Sequence, residues 1–494
     1  MQTQYTPLLS GTRLRSSSVK DRPLITEAES DRGRVLFCPA FRRLQQKAQV
    51  FSMEPNAAVR SRLTHSFEVS QMGRYIADSI GPELFAANLA SATECNALVT
   101  FVETACLMHD IGNPPFGHFG EAAIAQWFES NGADAIRKAC GDSAKNINNL
   151  NDQTIKDALA DFLEFDGNPQ GLRVVAKLQR NSDEFGLNLT KTSIASFLKY
   201  TRAAGAPFIA GTPFTKKAGY FKTEEALVRH IWNEFDYKNP QRFPLAYIVE
   251  AADDLAYCIS DLEDSIEKKL LNQKIALSEV YKTWKEQYPP DPDSLHIEIE
   301  KVLKAASVGE INGRTFTYTD FRTALNRHIV KYCAKKYIED HAKIINGTAQ
   351  PLLTTSSAAG KILSILKNYC QTHVYRHESV QRIELAGHAA IYGLLERFRC
   401  LLEANRERFD KALDYSNNTD SAGKPIVLER KLLTLFPKKY IDVYKHDLSI
   451  LDKSSADFLH HEWVLRAHLV TDFISGMTDD FAMATYRTLS GMRL

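Results

Sequence analysis

The stretch LMHDIGNPPFGH, residues 107–118, decides how the rest of the sequence is interpreted. It ends an apolar helical pattern by placing His109 beside Asp110, passes through a turn rich in glycine and proline, and reaches His118. Proline ends a helix because it lacks the backbone N–H and its ring clashes with the preceding turn. An adjacent His–Asp pair at a helix end is usually a polar cap or a surface pair. It indicates a metal site only if further ligands come from elsewhere in the chain.

Helical patterns dominate the sequence on both sides of this stretch. Apolar residues recur at three- and four-residue spacing, which is the period of a helix with one buried face. This pattern occupies residues 66–80, 97–108, 120–129, 245–268, 354–366 and 383–403. The alternation typical of strands is sparse, and residues 310–318 (EINGRTFTY) are the best candidate for a hairpin. The sequence therefore predicts an all-α fold with a minor β-hairpin.

The composition is that of a globular protein. Of 494 residues, 44% are hydrophobic and 24% are charged, and the formal net charge of +1 demands neither nucleic acid nor a membrane surface as a partner. The first thirty residues contain no apolar signal-type run, and no apolar run approaches the ~18 residues of a membrane helix. The eight cysteines form no CxxC pair, which is typical of reduced thiols. We expect a cytoplasmic protein without membrane association, in which any metal is held by histidine and carboxylate.

Acidic residues interrupt the apolar stripe of residues 245–268. Asp253, Tyr257 and Asp261 are spaced i, i+4 and i+8, so they share one face of a helix over about two turns. Acids on an otherwise apolar helix are costly to bury unless they are paired or bind a cation. The pattern therefore favours a cation site, and the alternative is a solvated face whose acids lie near Lys268.

A further histidine begins another helical pattern. His65 occurs in RSRLTHSFEVS, residues 60–70, and Arg62 precedes it by about one turn. Two imidazoles and two carboxylates from three helices would form a mixed nitrogen and oxygen set, which suits Mn, Mg, Fe, Co or Zn and leaves open positions. Such a metal would neutralise phosphate charge and lower the pKa of water at the site.

Three of these motifs together resemble a known superfamily. RLTHS (62–66), MHDIGNPPFGHFGE (108–121) and EAADDLAY (250–257) are similar to the H…HD…D signature of the HD-domain phosphohydrolases. Within that superfamily the chain resembles the bacterial deoxyguanosine triphosphate triphosphohydrolases of the enterobacterial, hexameric type. The resemblance extends through FRRLQQKAQVF (41–51), DGNPQGLRVVAKL (166–178), LKYTR (198–202), KKAGYF (216–221), RIELAGH (382–388) and DFISGMTDDFA (472–482). It implies a predominantly helical HD-domain fold.

The resemblance implies a set of metal ligands. By similarity they are His65, His109, Asp110 and Asp253. Asp253 fits the family pattern better than Asp254, because the family places a sugar-contacting tyrosine four residues after the ligand and an aspartate eight residues after it. Tyr257 and Asp261 occupy those two positions, in agreement with the shared helix face.

The resemblance also implies a catalytic pair. His118 and Glu121 are three residues apart at the start of the next helical pattern, hence on one side of it. A carboxylate beside an imidazole raises its basicity and fixes its tautomer. In the family this pair serves in-line attack of water on the α-phosphorus, which releases the deoxynucleoside and intact triphosphate. Away from a metal, the same two residues would be a helix cap and an acid that complements the helix dipole.

Several residues match family positions that contact the nucleotide. A triphosphate carries about four negative charges, so cations beyond the metal must converge on it. Arg62, Lys199 and Tyr200 match positions that contact the triphosphate, and Asn168 matches a position that contacts an unassigned group of the substrate. The sugar contacts are implied for Gln49, Val50, Tyr257 and Asp261. The base contacts are implied for Tyr375 and Glu384. The Glu384 carboxylate could accept from the N1–H and the exocyclic amine of guanine, an edge that adenine lacks. The chain departs from the family's usual residues at Asp166 (Glu), Pro169 (Ala) and Tyr375 (Phe).

The sequence suggests three regions. Residues 1–30 are expected to form an N-terminal tail that contacts an oligomer partner, and residues 31–275 the HD phosphohydrolase core. Residues 276–494 are expected to form a helical C-terminal region that contributes to the nucleotide pocket and to the oligomer interface. By resemblance we expect dGTP as substrate, Mn or Mg as the metal with Co or Fe as alternatives, a homohexamer, and single-stranded DNA bound between subunits.

Two other functions remain open at this point. The same HD site could serve a broad-specificity dNTPase or a nucleotide phosphodiesterase. Alternatively, the chain could be a regulatory protein that binds single-stranded nucleic acid and carries a vestigial HD site. Hydrolysis assays with added metal distinguish the enzymes from the binding protein.

Overall fold

The computed structural model describes residues 3–141, 152–180, 183–212, 214–311, 313–414 and 418–492, and helices dominate these residues. The helices of the first half are α1 Leu24–Phe37, α2 Pro39–Arg43, α3 Arg62–Ala86, α4 Ala92–Met108, α5 Gly117–Cys140, α6 Asp152–Leu163, α7 Gly167–Arg173, α8 Lys191–Phe197, α9 Glu225–Glu234 and α10 Pro244–Glu267. Those of the second half are α11 Gln273–Gln287, α12 Ser294–Val308, α13 Tyr318–Glu339, α14 His341–Ile345, α15 Ala358–His373, α16 Glu378–Glu403, α17 Arg406–Leu413, α18 Val427–Leu433, α19 Lys438–Ile450, α20 Phe458–Ser475 and α21 Asp479–Leu489. Short 3-10 segments lie at Leu44–Gln46 and Lys222–Glu224, and a π-helical segment at Val174–Leu178.

Strands are confined to two short pairs in the described residues. β3 (Glu310–Ile311) pairs antiparallel with β4 (Arg314–Thr315), within the predicted hairpin. The prediction of an all-α fold with a minor hairpin is therefore confirmed. A second pair, β1 (Arg202–Ala203) parallel to β2 (Ala218–Tyr220), was not expected, because strands of two or three residues are too short to show alternation. Gly219 permits this pairing, since a Cβ there would lie 1.9 Å from the carbonyl oxygen of Tyr200.

The helices α3, α4 and α10 pack against one another and form the part of the core that carries the predicted metal ligands. Buried side chains such as Val69, Val102 and Leu255 line their contacts. Gly73 allows α3 and α4 to approach closely, because a Cβ at that position would lie 2.6 Å from the sulfur of Cys106. Close packing of three helices fixes the relative positions of side chains that are distant in the sequence.

Capping residues set where α3 and α4 begin. Ser61 accepts from the backbone N–H of Thr64, and the Thr64 side chain accepts from the backbone N–H of Ser61, which together make a capping box. Ser91 and Glu94 make the same arrangement at the start of α4. Since α3 begins at Arg62, both Arg62 and His65 lie at its N-terminal end.

The N-terminal segment packs against other parts of its own chain. Tyr5 is fully buried, and its hydroxyl oxygen lies 2.8 Å from that of Tyr337. Arg13 is buried between the carboxylates of Glu27 and Asp31. A buried guanidinium is stable only when such partners compensate its lost hydration, so Arg13 anchors the segment to α1. A contact with an oligomer partner stays a prediction.

The cysteines are reduced, and most of them belong to the buried core of the helical fold. All eight cysteines are free, and six of them are buried among apolar neighbours. Burial raises the pKa of the Cys106 thiol, which keeps it protonated and inert. Among the helices of the described ranges, none combines the length and the apolar character needed to cross a membrane.

Candidate active site

Three helices bring three metal-ligand side chains to one point. His65 lies in the first turn of α3, His109 follows the last residue of α4, and Asp253 lies in the middle of α10. One ligand atom from each of the three lies within 4.8 Å of the others. The Oδ1 atom of Asp253 is 3.5 Å from the Nε2 atoms of both histidines. The arrangement is that of ligands around a small central volume.

Three of the four ring nitrogens of the two histidines have no hydrogen-bond partner in the described structure. His65 is fully buried, and neither of its ring nitrogens has a hydrogen-bond partner in the described structure. The Nδ1–H of His109 donates to the carbonyl oxygen of Cys106 at 2.8 Å, so its Nε2 lone pair faces Asp253 and is also unpartnered. Buried polar atoms almost always have partners, and an imidazole oriented through its other nitrogen is the usual form of a metal ligand. The donor set therefore fits a divalent cation.

Asp110, the fourth predicted ligand, borders this cluster. Its Oδ1 lies 3.5 Å from the Nε2 of His109, but it also accepts from the side-chain amide of Asn113 at 2.5 Å. Its Oδ2 accepts from Arg62 at 2.7 Å. Burial acts to raise the pKa of Asp110, but the charges of Arg62 and His109 lower it to about 2. The carboxylate is therefore charged, and protein donors hold it beside the three closer groups.

Asp253, not Asp254, faces the histidines. The Nζ of Lys199 donates to the Oδ2 of Asp253 at 3.2 Å, which leaves Oδ1 directed at the two rings. Burial acts to raise the pKa of Asp253, but Lys199 and the imidazoles hold it well below its usual range. Asp254 lies outside the cluster, and burial raises its pKa to about 6. Of the two adjacent aspartates, Asp253 is therefore the one whose side chain lies beside His65 and His109.

His118 and Glu121 are joined at the start of α5. The Nδ1–H of His118 donates to Glu121 at 2.6 Å, and the other oxygen of Glu121 accepts from the backbone N–H of Gly167 at 2.8 Å. The His118 side chain is 81% exposed, whereas that of Glu121 is 10% exposed. The hydrogen bond to Glu121 is the largest cause of a raised His118 pKa. An exposed imidazole on a fixed carboxylate has the features of a proton acceptor.

The backbone before α5 requires a left-handed turn. Phe116 and Gly117 have φ angles of 60° and 54°. A Cβ on Gly117 would lie 2.7 Å from the Nη2 atom of Arg62, so glycine lets the start of α5 approach this guanidinium. His118 is thus carried on a segment in contact with the arginine that holds Asp110.

The residues predicted to contact the triphosphate, and Asn168, whose predicted contact is with an unassigned group of the substrate, differ in how their side chains are held. Arg62 and Lys199 are held by Asp110 and Asp253, and Tyr200 is buried. The amide of Asn168 donates to Asp166 at 2.6 Å, so this side chain is turned toward its own helix cap.

Lys217 is a cation of this region that the sequence reasoning did not single out. Its Nζ donates to Asp166 at 2.5 Å. Its charge also acts on its neighbours, because it opposes the rise in the His118 pKa and interacts with Glu121. The KKAGYF motif contains two lysines, and nothing in their residue type distinguishes Lys217 from Lys216.

Two of the predicted sugar contacts, Tyr257 and Asp261, form a hydrogen-bonded chain with the predicted base contact Tyr375. The hydroxyl oxygens of Tyr257 and Tyr375 are 2.7 Å apart, and the Tyr375 hydroxyl donates to the Oδ2 of Asp261. Asp261 is fully buried, its Oδ1 has no partner in the described structure, and burial raises its pKa to about 7. The Oε1 of Gln49, another predicted sugar contact, is also buried without a hydrogen-bond partner in the described residues. Tyr375, which was predicted to contact the nucleobase, therefore donates its hydroxyl to Asp261, which was predicted to contact the sugar.

Val50 and Glu384 line one cavity of about 230 Å³, together with Phe51, Met53, Lys268 and Val380. This volume is below the ~300–1,000 Å³ typical of sites for whole drug-sized ligands. Glu384 is half-buried, and burial raises its pKa while the charge of His118 opposes that rise. The Glu384 carboxylate of this cavity therefore lies within range of the His118 charge.

Comparison with known proteins relates this geometry to a family. An HD domain model matches residues 62–180, which contain His65, His109, Asp110 and the His118–Glu121 pair. A deoxyguanosinetriphosphate triphosphohydrolase of Enterobacter sp. (strain 638) is 36% identical, over 96% of this chain and 95% of its own. The enzymes of that name from Salmonella arizonae and Cronobacter sakazakii are 37% and 35% identical, each over 93% of both chains.

An HD domain implies a divalent metal, for which His65, His109 and Asp253 offer a site. The similarity to the enzymes extends far beyond the HD match and covers nearly the whole chain. The chain belongs to the deoxyguanosinetriphosphate triphosphohydrolase family of HD-domain proteins.

Proposed function

We propose that this chain hydrolyses dGTP to deoxyguanosine and inorganic triphosphate by attack of water on the α-phosphorus. The observation that carries the proposal is the convergence of His65, His109 and Asp253. Unpartnered ring nitrogens of the two histidines lie around one carboxylate oxygen of Asp253. We assign the fourth ligand position to Asp110, which borders the three. Mn or Mg are the metals we propose, with Co or Fe as alternatives, because a mixed nitrogen and oxygen set accepts all of them.

Cations of the chain would bind the triphosphate. When bound, a divalent ion supplies positive charge to the phosphate and makes water at the site more acidic. Arg62 and Lys199 add charge beside it, and their own contacts with Asp110 and Asp253 hold them in place. Lys217 adds a third positive charge near Glu121. These groups act on the charge that develops during phosphoryl transfer, which is the main contribution a protein makes to such reactions.

His118 would accept the proton of the attacking water. Its Nδ1–H is engaged by Glu121, so the Nε2 atom carries the free lone pair. Because Glu121 is itself held by the N–H of Gly167, the imidazole keeps one tautomer and one orientation.

The sugar and base would be bound by the remaining predicted residues. We propose that the unpartnered Oδ1 of Asp261 accepts from the 3′-hydroxyl and that Tyr257 stacks against the sugar. Gln49 and Val50 would occupy the space that a 2′-hydroxyl needs. Glu384 would accept from the donors of guanine, and the Tyr375 ring would stack on the base while its hydroxyl stays on Asp261.

Analysis of the products of one dGTP digest tests this function. We expect deoxyguanosine and intact triphosphate in equal amounts with added Mn or Mg, and none with a chelator. Formation of dGMP and pyrophosphate would instead identify a phosphodiesterase. Equal rates on all four dNTPs would indicate a broad dNTPase, and inactivity with every metal and nucleotide would favour a binding protein with a vestigial site.

Replacing Glu384 by glutamine is expected to reduce base preference without abolishing hydrolysis. Hydrogen bonds to a charged group contribute ~1.5–3 kcal/mol, so the ratio of kcat/KM for dGTP over dATP should fall about 10- to 100-fold. Steady-state kinetics with both nucleotides measures this ratio. Glu378→Gln on the same helix is the matched control, since its side chain is 73% exposed and pairs with the exposed Arg382. A ratio equal to that of the wild type would contradict the assignment.

We also propose that the chain forms a homohexamer that binds single-stranded DNA between subunits, as the resemblance implies. Sedimentation equilibrium with and without a labelled oligonucleotide tests both parts of this proposal.

A further inference from the structure

The C-terminal helix α21 contacts two separate segments of the candidate active site through one side chain. Asp479, its first residue, is 3% exposed. Its Oδ1 accepts from the backbone N–H of Phe116 at 3.1 Å, and its Oδ2 accepts from the backbone N–H of Ala48 at 3.1 Å. We propose that Asp479 is a positioning residue that aligns the His118 segment with the sugar-facing segment of Gln49 and Val50. The inference rests on the proposed function.

Phe116 is the residue through which Asp479 would act on His118. It adopts the left-handed conformation, which is unfavourable for a residue with a side chain and persists only where surrounding contacts hold it. Its ring packs on α16, where a Cβ on Gly387 would lie 2.3 Å from it. The hydrogen bond that the Phe116 N–H donates to Asp479 fixes the backbone of Phe116. The start of α5, and therefore His118, takes its direction from this turn.

Ala48 is the residue through which Asp479 would act on the sugar side. The neighbouring Lys47 is buried, and its Nζ donates to the carbonyl oxygens of Asn113 at 2.5 Å and Ser475 at 2.8 Å. The carbonyl oxygen of Lys47 accepts from the N–H of Arg62 at 2.9 Å. Lys47 and Asp479 together, which we call the C-terminal clamp, therefore tie the end of α20 and the start of α21 to both active-site segments.

The chemistry of the clamp requires a carboxylate at position 479. Both oxygens act as acceptors for two backbone donors that come from distant parts of the chain. Asparagine has one acceptor oxygen and one NH₂ group in place of the two carboxylate oxygens. Its NH₂ group would therefore face one of the two backbone N–H groups and could not accept a hydrogen bond from it. A buried N–H without a partner is unfavourable, and one of the two segments would move.

The test compares Asp479→Asn with Asp480→Asn, the next residue on the same helix, which is exposed. A displacement of reacting groups by about 1 Å can reduce turnover about 100-fold, so we expect kcat of Asp479→Asn to fall roughly 10- to 100-fold. KM for dGTP should rise in the same variant, because the sugar side is also released. Metal content by mass spectrometry should equal that of the wild type, and hydrogen exchange at the Phe116 N–H should become faster. Asp480→Asn should match the wild type in every measurement.

A double variant separates positioning from a general loss of structure. If Asp479 acts on turnover through His118, then His118→Ala combined with Asp479→Asn should have the kcat of His118→Ala alone. Independent structural damage would instead multiply the two losses and overturn the inference, as would wild-type kcat and KM in Asp479→Asn. Should Asp479→Asn fail to fold, Lys47→Met removes the other half of the clamp and is expected to show the same non-additivity.

The outcomes for the inference and for the proposed function are distinct. A wild-type protein that does not hydrolyse dGTP removes the proposed function. A wild-type protein that hydrolyses dGTP, with an Asp479→Asn variant of equal kcat and KM, removes only the positioning role.

Discussion

Asp253→Asn is expected to lose bound metal and dGTP hydrolysis together. The carboxylate supplies the oxygen that lies 3.5 Å from both histidine nitrogens, so its loss removes the negative charge that faces both rings. A bound metal contributes several kcal/mol of charge stabilisation in such reactions, and each ~1.4 kcal/mol is a factor of ten in rate. We therefore expect kcat/KM to fall by at least about three orders of magnitude. Metal content after dialysis and the rate of triphosphate release are the two measurements.

Asp254→Asn is the matched control for this experiment. It makes the same chemical change one residue further along α10, outside the cluster of ligands. It should retain metal and most of the activity. His109→Ala gives an independent arm, because it removes the Nε2 atom and should reproduce the loss seen with Asp253→Asn. Full metal content and full rate in either ligand variant would contradict the assignment.

Helical spacing is the reason that much of this site could be predicted from the sequence. Asp253, Tyr257 and Asp261 lie on one helix, so their relation depends only on the period of that helix, which the apolar residues around them reveal. The turn after His109 contains its own breakers, and the helix does end at Met108. Local rules of this kind need no knowledge of tertiary contacts. The all-α class followed from the same patterns.

The contacts between distant segments could not be predicted in this way. The hydrogen bonds that Asp479 accepts from the backbone of Ala48 and Phe116 depend on how α21 packs. Neither the residue type nor its spacing in the sequence indicates that Asp479 has backbone partners. The pairing of Lys217 with Asp166 has the same origin. The hydroxyl of Tyr375, a departure from the usual phenylalanine, binds Asp261 because the turn between α15 and α16, which carries Tyr375, lies against α10. Such pairings are set by the whole fold and by the burial that it imposes.

His118→Ala is expected to retain metal but to lose most of its turnover. His118 is not among the clustered ligand groups, and its side chain is 81% exposed, so its removal should disturb neither the metal site nor the core. A positioned proton-transfer group contributes roughly 10²- to 10⁴-fold to rate, and kcat should fall by that factor. KM for dGTP should change much less. Stopped assays of triphosphate release, with metal analysis of the same sample, give both quantities.

A variant with the wild-type rate would show that His118 takes no part in proton transfer. A variant that also lost metal would instead place His118 among the ligands. Ala122→Ser provides a control for changes at the start of α5, because the side chain at position 122 is exposed.

The dependence of rate on pH gives a second test of the same role. The hydrogen bond to Glu121 raises the pKa of His118, so the protonated ring, which cannot accept a proton, persists to higher pH. Activity should therefore rise with pH through this raised pKa. In Glu121→Gln the amide keeps the bond to Gly167 only by turning its NH₂ group toward His118, which favours the wrong tautomer and removes the negative charge. We expect a lower maximal rate and an acid limb displaced to lower pH, because the pKa of His118 falls when its anionic partner is removed. An acid limb that stays in place in Glu121→Gln would mean that another group titrates there and that His118 is not the proton acceptor.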